Sequence, residues 1–270
     1  MHSISYGLPM LRALRRVSRA VPEGIAHVHH LSNGIEVMFE TARGRRPPAF
    51  RFRSGTVWHH GPYDNPALLF RELYVEHLLP SMANAPRGAT IVDIGANIGA
   101  ASLLWAGERP DLVVHAYEPN PQAFATLEAN VAASRANNVH LYPEAVGREA
   151  GRISLWIDVS TVLSTAYGEA PGPNGRKVEA ACVTLEQALA RTDDNVWLLK
   201  IDTEGAEGDI LDGASVPALR RCNNIVVEWH DNIVPGVSAI VRARLAGAGF
   251  VIQKEHLHPW AEGIIHAVRT

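Results

Sequence analysis

At 270 residues, 47% of them hydrophobic and 20% charged, the chain is long enough to bury a core and too apolar for intrinsic disorder. A formal charge of −3 removes any global attraction to nucleic acid or anionic lipid, and no apolar run reaches the roughly 20 residues that span a bilayer. Two cysteines, Cys182 and Cys222, are too few for a disulfide framework and lack metal-ligand spacing, so both read as reduced thiols.

Residues 11–20, LRALRRVSRA, are basic and free of acids. No apolar segment follows to make a secretory signal, so an intracellular, cytoplasmic protein is expected, with an organellar leader as the alternative. Residues 25–57 read as short β-structure, with Ser32-Asn33-Gly34 turning between two apolar-alternating runs. Residues 41–55 read as a loop, because Pro47 and Pro48 oppose a central strand. From Asn65 to Leu79, residues Leu68, Leu69, Tyr74, Val75, Leu78 and Leu79 mark one helical face. Residues 1–80 are expected to form a small N-terminal β/α extension for substrate or oligomer contacts.

A regular alternation begins at Thr90. TIVDIG, VVHAYE and VHLYPEAV read as strands, separated by the helical NIGAASLLWAG and PQAFATLEANVAAS. This rhythm predicts an α/β fold, a parallel sheet with helices on both faces. GRISLWID and VEAACVTL read as paired strands around a stretch rich in Gly, Pro, Ser and Thr, and the segment 150–184 is expected to be an inserted hairpin and lid. The alternation resumes with VWLLKID, a helix near AEGDILDGA, NIVVEWH and the helix VSAIVRARLAGAG. The last two strands must be antiparallel, because no crossover helix fits between them.

The turn Asp93-Ile94-Gly95-Ala96-Asn97-Ile98-Gly99 lets backbone approach a ligand and points helix N–H groups at it. A dinucleotide site wants glycine where Asn97 stands, so a pyrophosphate is disfavoured. Glu118 ends the second strand about 20 residues on, where an acid accepts both ribose hydroxyls. A nucleoside without a pyrophosphate is indicated, and S-adenosylmethionine fits that description. The motifs VDIGANIG, AYEPNP, AVG, TLEQAL and LLKIDTEGAEGDILDGA, in this order, resemble the FkbM-type family of class I S-adenosylmethionine-dependent methyltransferases. The similarity runs from Thr90 to Thr270.

That resemblance implies a Rossmann-like seven-stranded sheet with an antiparallel C-terminal hairpin, formed by residues 81–270. It implies that Asp93, Gly95, Ala96, Asn97 and Gly99 line the methionine and ribose end, with Asp202 nearby. Glu118 would hold the ribose hydroxyls, Pro119 and Asn120 the adenine edge, and Glu144 and Ala145 the adenine N6 and N1. Glu144 stands where the family usually has a small or apolar residue.

Asp202 and Glu204 leave the fourth strand on the ligand side, and Glu228 and His230 share one face of the fifth. Methyl transfer to a hydroxyl needs alignment and a base, and His230, Asp202, Glu228 and Glu204 are the candidates. These carboxylates are expected to crowd one cleft with His230 and raise its pKa. Asp202 with Asp231 and Asn232 could hold Mg²⁺, but a polar turn is the commoner meaning of Asp-Asn, and no metal is assigned. Histidines 27, 29, 30, 59 and 60 could reach the cleft from the N-terminal segment. Aromatic residues, at 7%, do not interleave with a basic stripe, which leaves nucleic-acid stacking unsupported.

The expected activity is O-methylation of a sugar or other small metabolite or natural product. The expected partner is a hydroxylated small molecule, with no nucleic acid and no membrane span, and a homo-oligomer is compatible. A nicotinamide-dependent oxidoreductase and a non-catalytic nucleoside-binding module are the alternatives.

Overall fold

The computed structural model describes residues 23–47, 49–61, 65–157, 164–167, 175–192, 195–258 and 260–270. The arginines of residues 11–20, and residues 158–163 and 168–174 of the expected hairpin and lid, lie outside these.

The N-terminal segment corrects the hairpin expectation. Residues 23–30 form helix α1, and α2 follows at Gly34–Ala42. Gly34 is not a hairpin glycine; a Cβ there would stand 2.2 Å from the His27 carbonyl oxygen, so its bare Cα lets the two helices meet. Asn33, at the start of α2, donates to the Ala49 carbonyl and accepts from the Arg51 amide. These bonds tie the helix pair to a two-stranded ribbon, β1 (Phe50–Arg51), inside the stretch expected to be loop, and β2 (Val57–Trp58), just after it. Helix α3 (Pro66–Tyr74) begins with proline at its first position and the Asn65 side chain accepting from the Leu68 amide. It ends earlier than the apolar pattern suggests, and the chain turns at His77, φ 50°, to bury Leu78. Phe50, Phe52, Trp58 and Phe70 pack with Leu103, docking the described part of the extension on the main domain.

The main domain runs β3 (Thr90–Ile94), α4 (Ala100–Glu108), β4 (Val113–Tyr117), α5 (Pro121–Ser134) and β5 (Val139–Tyr142). Pro143 then splits the single strand expected over VHLYPEAV, because it has no N–H to continue a ladder. Its second half, β6 (Glu144–Gly147), leaves for a separate four-stranded sheet with β7 (Gly151–Ile157), β8 (Ser164–Thr165) and β9 (Arg176–Thr184). Strands β7 and β9 pair antiparallel. Next come α6 (Leu185–Leu189), β10 (Val196–Ile201), α7 (Glu207–Gly213), α8 (Val216–Leu219), β11 (Cys222–His230), α9 (Val237–Gly247), β12 (Phe250–His258) and β13 (Glu262–Arg269).

The seven-stranded sheet has the order β12-β13-β11-β10-β3-β4-β5, with β13 antiparallel to both its neighbours. Consecutive residues in its centre enter opposite cores. Ile91, Leu198 and Val226 pack with Trp105 and Leu112 on one face; Val92, Leu199 and Val227 pack with Leu211 and Val241 on the other. Burial on both faces explains the unbroken apolar runs, each such side chain contributing about 1.5–3 kcal/mol. The strand order reverses between β3 and β10, and ligands bind at such a switch point.

Candidate functional site

At that point the chain leaving β3 turns sharply through Gly95 (φ 79°), Asn97 (φ 51°) and Gly99 (φ 89°). The amides of Gly95 and Ala96 both donate to the Tyr117 carbonyl at 3.0 Å. A Cβ on Gly95 would lie 1.6 Å from the Asp202 carbonyl oxygen, so the glycine lets the turn press against the end of β10. Gly99 instead makes room for Leu127, packing α4 against α5.

Glu118 follows β4 and is buried. Its Oε2 accepts from the Asn97 amide and its Oε1 from the Asn120 amide, each at 2.8 Å. Burial pushes its pKa up to about 7, against the pull of those two amides and of Lys200. Each carboxylate oxygen keeps a second lone pair. Asn97 Oδ1 is buried with no hydrogen-bond partner among the described residues. The Asn120 side chain caps α5 through the Gln122 amide.

Two cavities meet at this turn, and Gly95, Asn97 and Asp202 border both. The first, an open cleft of about 700 Å³, lies between Glu118, Pro119, Glu144 and Ala145 on one side and Asp202, Thr203 and Glu204 on the other, roofed by Ile153 and Leu155 of β7. The second, about 530 Å³, lies between Leu69, Glu72 and Leu73 of α3 and Lys200, Asp202 and Glu228 of the sheet. Glu144 is committed to Arg191, whose guanidinium also lies 4.9 Å from the Tyr142 ring centre.

Beneath the turn, Lys200 Nζ sits 3.1 Å from Asp93 Oδ1 and 3.2 Å from Asp202 Oδ2. Burial opposes its charge, but the two aspartates outweigh it and hold the ammonium above its ordinary pKa. Asp93 is fully buried and also accepts from Ser102 Oγ at 2.6 Å. It braces the site from below and does not line either cavity.

Glu207, fully buried at the start of α7, organises the other half. Its Oε1 accepts from the Thr203 amide at 2.9 Å, the Gly205 amide at 3.0 Å and the Thr203 hydroxyl at 3.1 Å. The same oxygen lies 3.1 Å from His230 Nδ1. His230 Nε2 then faces Glu204 Oε2 at 3.6 Å. Burial would lower the His230 pKa; the bond to Glu207 and the charges of Glu204, Glu207 and Asp202 reverse this and push it up to about 10. The rise has the expected direction, and the ring carries a proton at neutral pH. Burial pushes Glu204 up to about 8 despite His230. Glu204 holds a left-handed φ of 54°, which costs a non-glycine residue about 1–2 kcal/mol, and its carbonyl accepts from Thr165 Oγ1.

Asp202, Glu204 and His230 thus come together, each offering one ligand atom, all within 4.8 Å of one another. Glu228 borders the second cavity, where burial and Asp202 drive its carboxyl well above the ordinary range. Burial and Asp202 likewise push Glu72 up to about 7. Asp231 and Asn232, weighed with Asp202 as a Mg²⁺ set, have hydrogen-bond partners elsewhere and are not grouped with Asp202. Asp231 accepts from the Ser238 amide and hydroxyl, and Asn232 donates to Glu262. The N-terminal histidines line neither cavity; His27 stacks on Phe70, and His60 bonds Pro47. Both cysteines are buried and free. Sequence reasoning missed Glu207, Lys200 and Glu72; the signal for Glu207 was an acid in the first helical turn, three residues after Glu204.

Sheet order, antiparallel final strand, glycine turn and acid after β4 together define a class I methyltransferase fold. A family model described as the methyltransferase FkbM domain matches residues 93–252, and the chain belongs to that family of methyltransferases. This sets aside the nicotinamide-dependent oxidoreductase. The chain is 29% identical to the 31-O-demethyl-FK506 methyltransferase FkbM of Streptomyces tacrolimicus, over 81% of this chain and 94% of that one. It is 27% identical to the methyltransferase sdnD of Sordaria araneosa, over 72% and 85%. Among solved structures, methyltransferase FkbM from Methylobacillus flagellatus aligns over 74% of this chain and 53% of that one, with 15% identity and a TM-score of 0.47. Among the described residues, no helix is long and apolar enough to cross a membrane.

Proposed function

We propose that the chain transfers a methyl group from S-adenosylmethionine to a hydroxyl of a sugar or other small natural product. The observation that carries the reading is Glu118, a buried carboxylate held by two backbone amides at the wall of a cavity that continues to Asp202 and Glu204. The spare lone pairs of Glu118 suit two ribose hydroxyls, and the orphaned Asn97 Oδ1 suits a donor such as an ammonium. S-adenosylmethionine, when bound, supplies an electrophilic methyl on a positively charged sulfonium. Asp202, Glu204 and Glu228 surround that end with carboxyl oxygens, and a sulfonium there favours the ionised forms that burial opposes.

In the reaction the acceptor oxygen forms the new C–O bond, and the S–CH₃ bond breaks with its electron pair staying on sulfur. The hydroxyl proton passes to the Asp202 carboxylate, beside the His230 ring, which already carries a proton. Lys200 and Glu207 hold the two in place from below. A hydroxyl acceptor agrees with the name of the Streptomyces relative, which specifies O-methylation of FK506.

The test is transfer from radiolabelled S-adenosylmethionine to a panel of sugars and polyhydroxylated natural products, with the methyl located by NMR. A methyl ether is expected, together with at least tenfold weaker cofactor affinity in Glu118→Ala. A methyl on nitrogen or carbon, or undiminished affinity in that variant, refutes it. Cofactor binding without transfer to any acceptor would instead identify a nucleoside-binding module.

A further inference from the structure

We propose that Asp202, Glu204 and His230 form a divalent-cation site, one that takes a first-row transition ion such as Mn²⁺ at the wall of the first cavity. Three donors from two neighbouring strand ends already lie within 4.8 Å of one another. Such ions hold N and O donors at about 2.0–2.2 Å, which sets neighbouring donors roughly 3–4 Å apart. His230 Nε2 and Glu204 Oε2, at 3.6 Å, meet that spacing and are too far apart for a hydrogen bond. Asp202 shares Oδ2 with Lys200, which leaves Oδ1 to offer.

A group of carboxylates alone would say little; the histidine is the second, independent observation. His230 is 4% exposed and its Nδ1–H is donated to Glu207, so Nε2 is the nitrogen turned to Asp202 and Glu204, and a bound ion takes the place of the proton that the free ring carries there. Metal-binding imidazoles are oriented this way, by a carboxylate on the far nitrogen. Glu207 Oε1 also holds the Thr203 and Gly205 amides, so one buried oxygen fixes the ring and the loop that carries Glu204. Glu204 keeps its strained left-handed backbone in that loop. Preorganised ligands on a braced second layer are what a metal site requires.

One imidazole and two carboxylates suit Mn²⁺, Fe²⁺ or Zn²⁺ better than the all-oxygen preference of Mg²⁺ or Ca²⁺. Asp202 and Glu204 border the cavity, so the open positions of the ion face it. An acceptor hydroxyl bound there would become more acidic and be held for in-line attack. This role rests on the proposed methyl transfer; the binding does not.

The test uses the full chain, stripped with EDTA and titrated with MnCl₂ alone, with free Mn²⁺ read by electron paramagnetic resonance. One Mn²⁺ per chain is expected, with a pulsed-resonance coupling to an imidazole nitrogen. Affinity should fall at least tenfold in Glu204→Gln and in His230→Ala, with the coupling lost in the latter, and stay unchanged in Asp231→Asn. No stoichiometric Mn²⁺, or uptake that survives both substitutions, overturns the site. Thermal melting by circular dichroism on the same samples serves as the folding control, and the S-adenosylhomocysteine affinity of the wild type separates the readings. Retained affinity without Mn²⁺ uptake rejects the cation site and leaves methyl transfer standing.

Discussion

Glu118 gives the nucleoside end a pH dependence whose size follows from its burial. Its folded pKa of about 7 stands above the ordinary 4.5 because burial disfavours the charged form more than the Asn97 and Asn120 amides favour it. A raised carboxyl binds its proton more tightly folded than unfolded. Stability is therefore undiminished below about 4.5, falls as pH rises, and has lost about 3 kcal/mol once pH passes the folded pKa. Ribose hydroxyls donate to the ionised form, so binding must expel the proton wherever it is still present. At pH 6 about nine-tenths of Glu118 is protonated and at pH 8 about one-tenth, which makes affinity about tenfold weaker at pH 6. Calorimetry with S-adenosylhomocysteine at both pH values, in buffers of different ionisation enthalpy, reads the affinity and the protons released. Other cavity carboxyls, Glu72 and Glu204 among them, titrate nearby, so the decisive quantity is wild type minus Glu118→Gln. The wild type should show the tenfold difference and release nearly one proton at pH 6, and the variant should lose this component and bind more weakly throughout. An identical pH dependence in both proteins would refute the reasoning.

Gly95→Ala should prevent stable folding or lower the melting temperature by more than about 10 °C, since its Cβ collides with backbone at 1.6 Å. Gly88→Ala is the control, with a similar φ of 72° and open space around it; it should cost only about 1–2 kcal/mol, and equal losses in the two variants would remove the steric argument. Glu207→Ala strands the Thr203 and Gly205 amides and the His230 ring without their shared acceptor, and should destabilise the chain by about 3–5 kcal/mol in urea unfolding. A loss below about 1 kcal/mol would show that the buried carboxylate does not hold this region together.

The strands and helices of the seven-stranded sheet were legible in the sequence from Thr90 onward, because parallel strands buried on both faces read as unbroken apolar runs and their helices do not. The glycine turn and Glu118 were legible for a related reason: each sits where one element ends, and local chain geometry restricts what can stand there. The N-terminal segment was misread because Gly34 looks like a turn residue, whereas its missing Cβ serves contact with the His27 carbonyl, a neighbour that appears only when α1 and α2 pack. Likewise, Pro143 is visible in the sequence, but the departure of β6 to a second sheet depends on a partner, β9, some 30 residues away. Side-chain roles divide in the same way. Asp202, Glu204 and His230 could be named from strand ends, yet their convergence is set by Glu207, whose one oxygen gathers donors from a loop and from β11. Asp231 and Asn232, just as polar and just as near a strand end, were claimed instead by the start of α9 and by Glu262. Which carboxylates meet at a site, and which are spent on caps, is decided by hydrogen bonds between elements distant in sequence, and only the packed structure determines those.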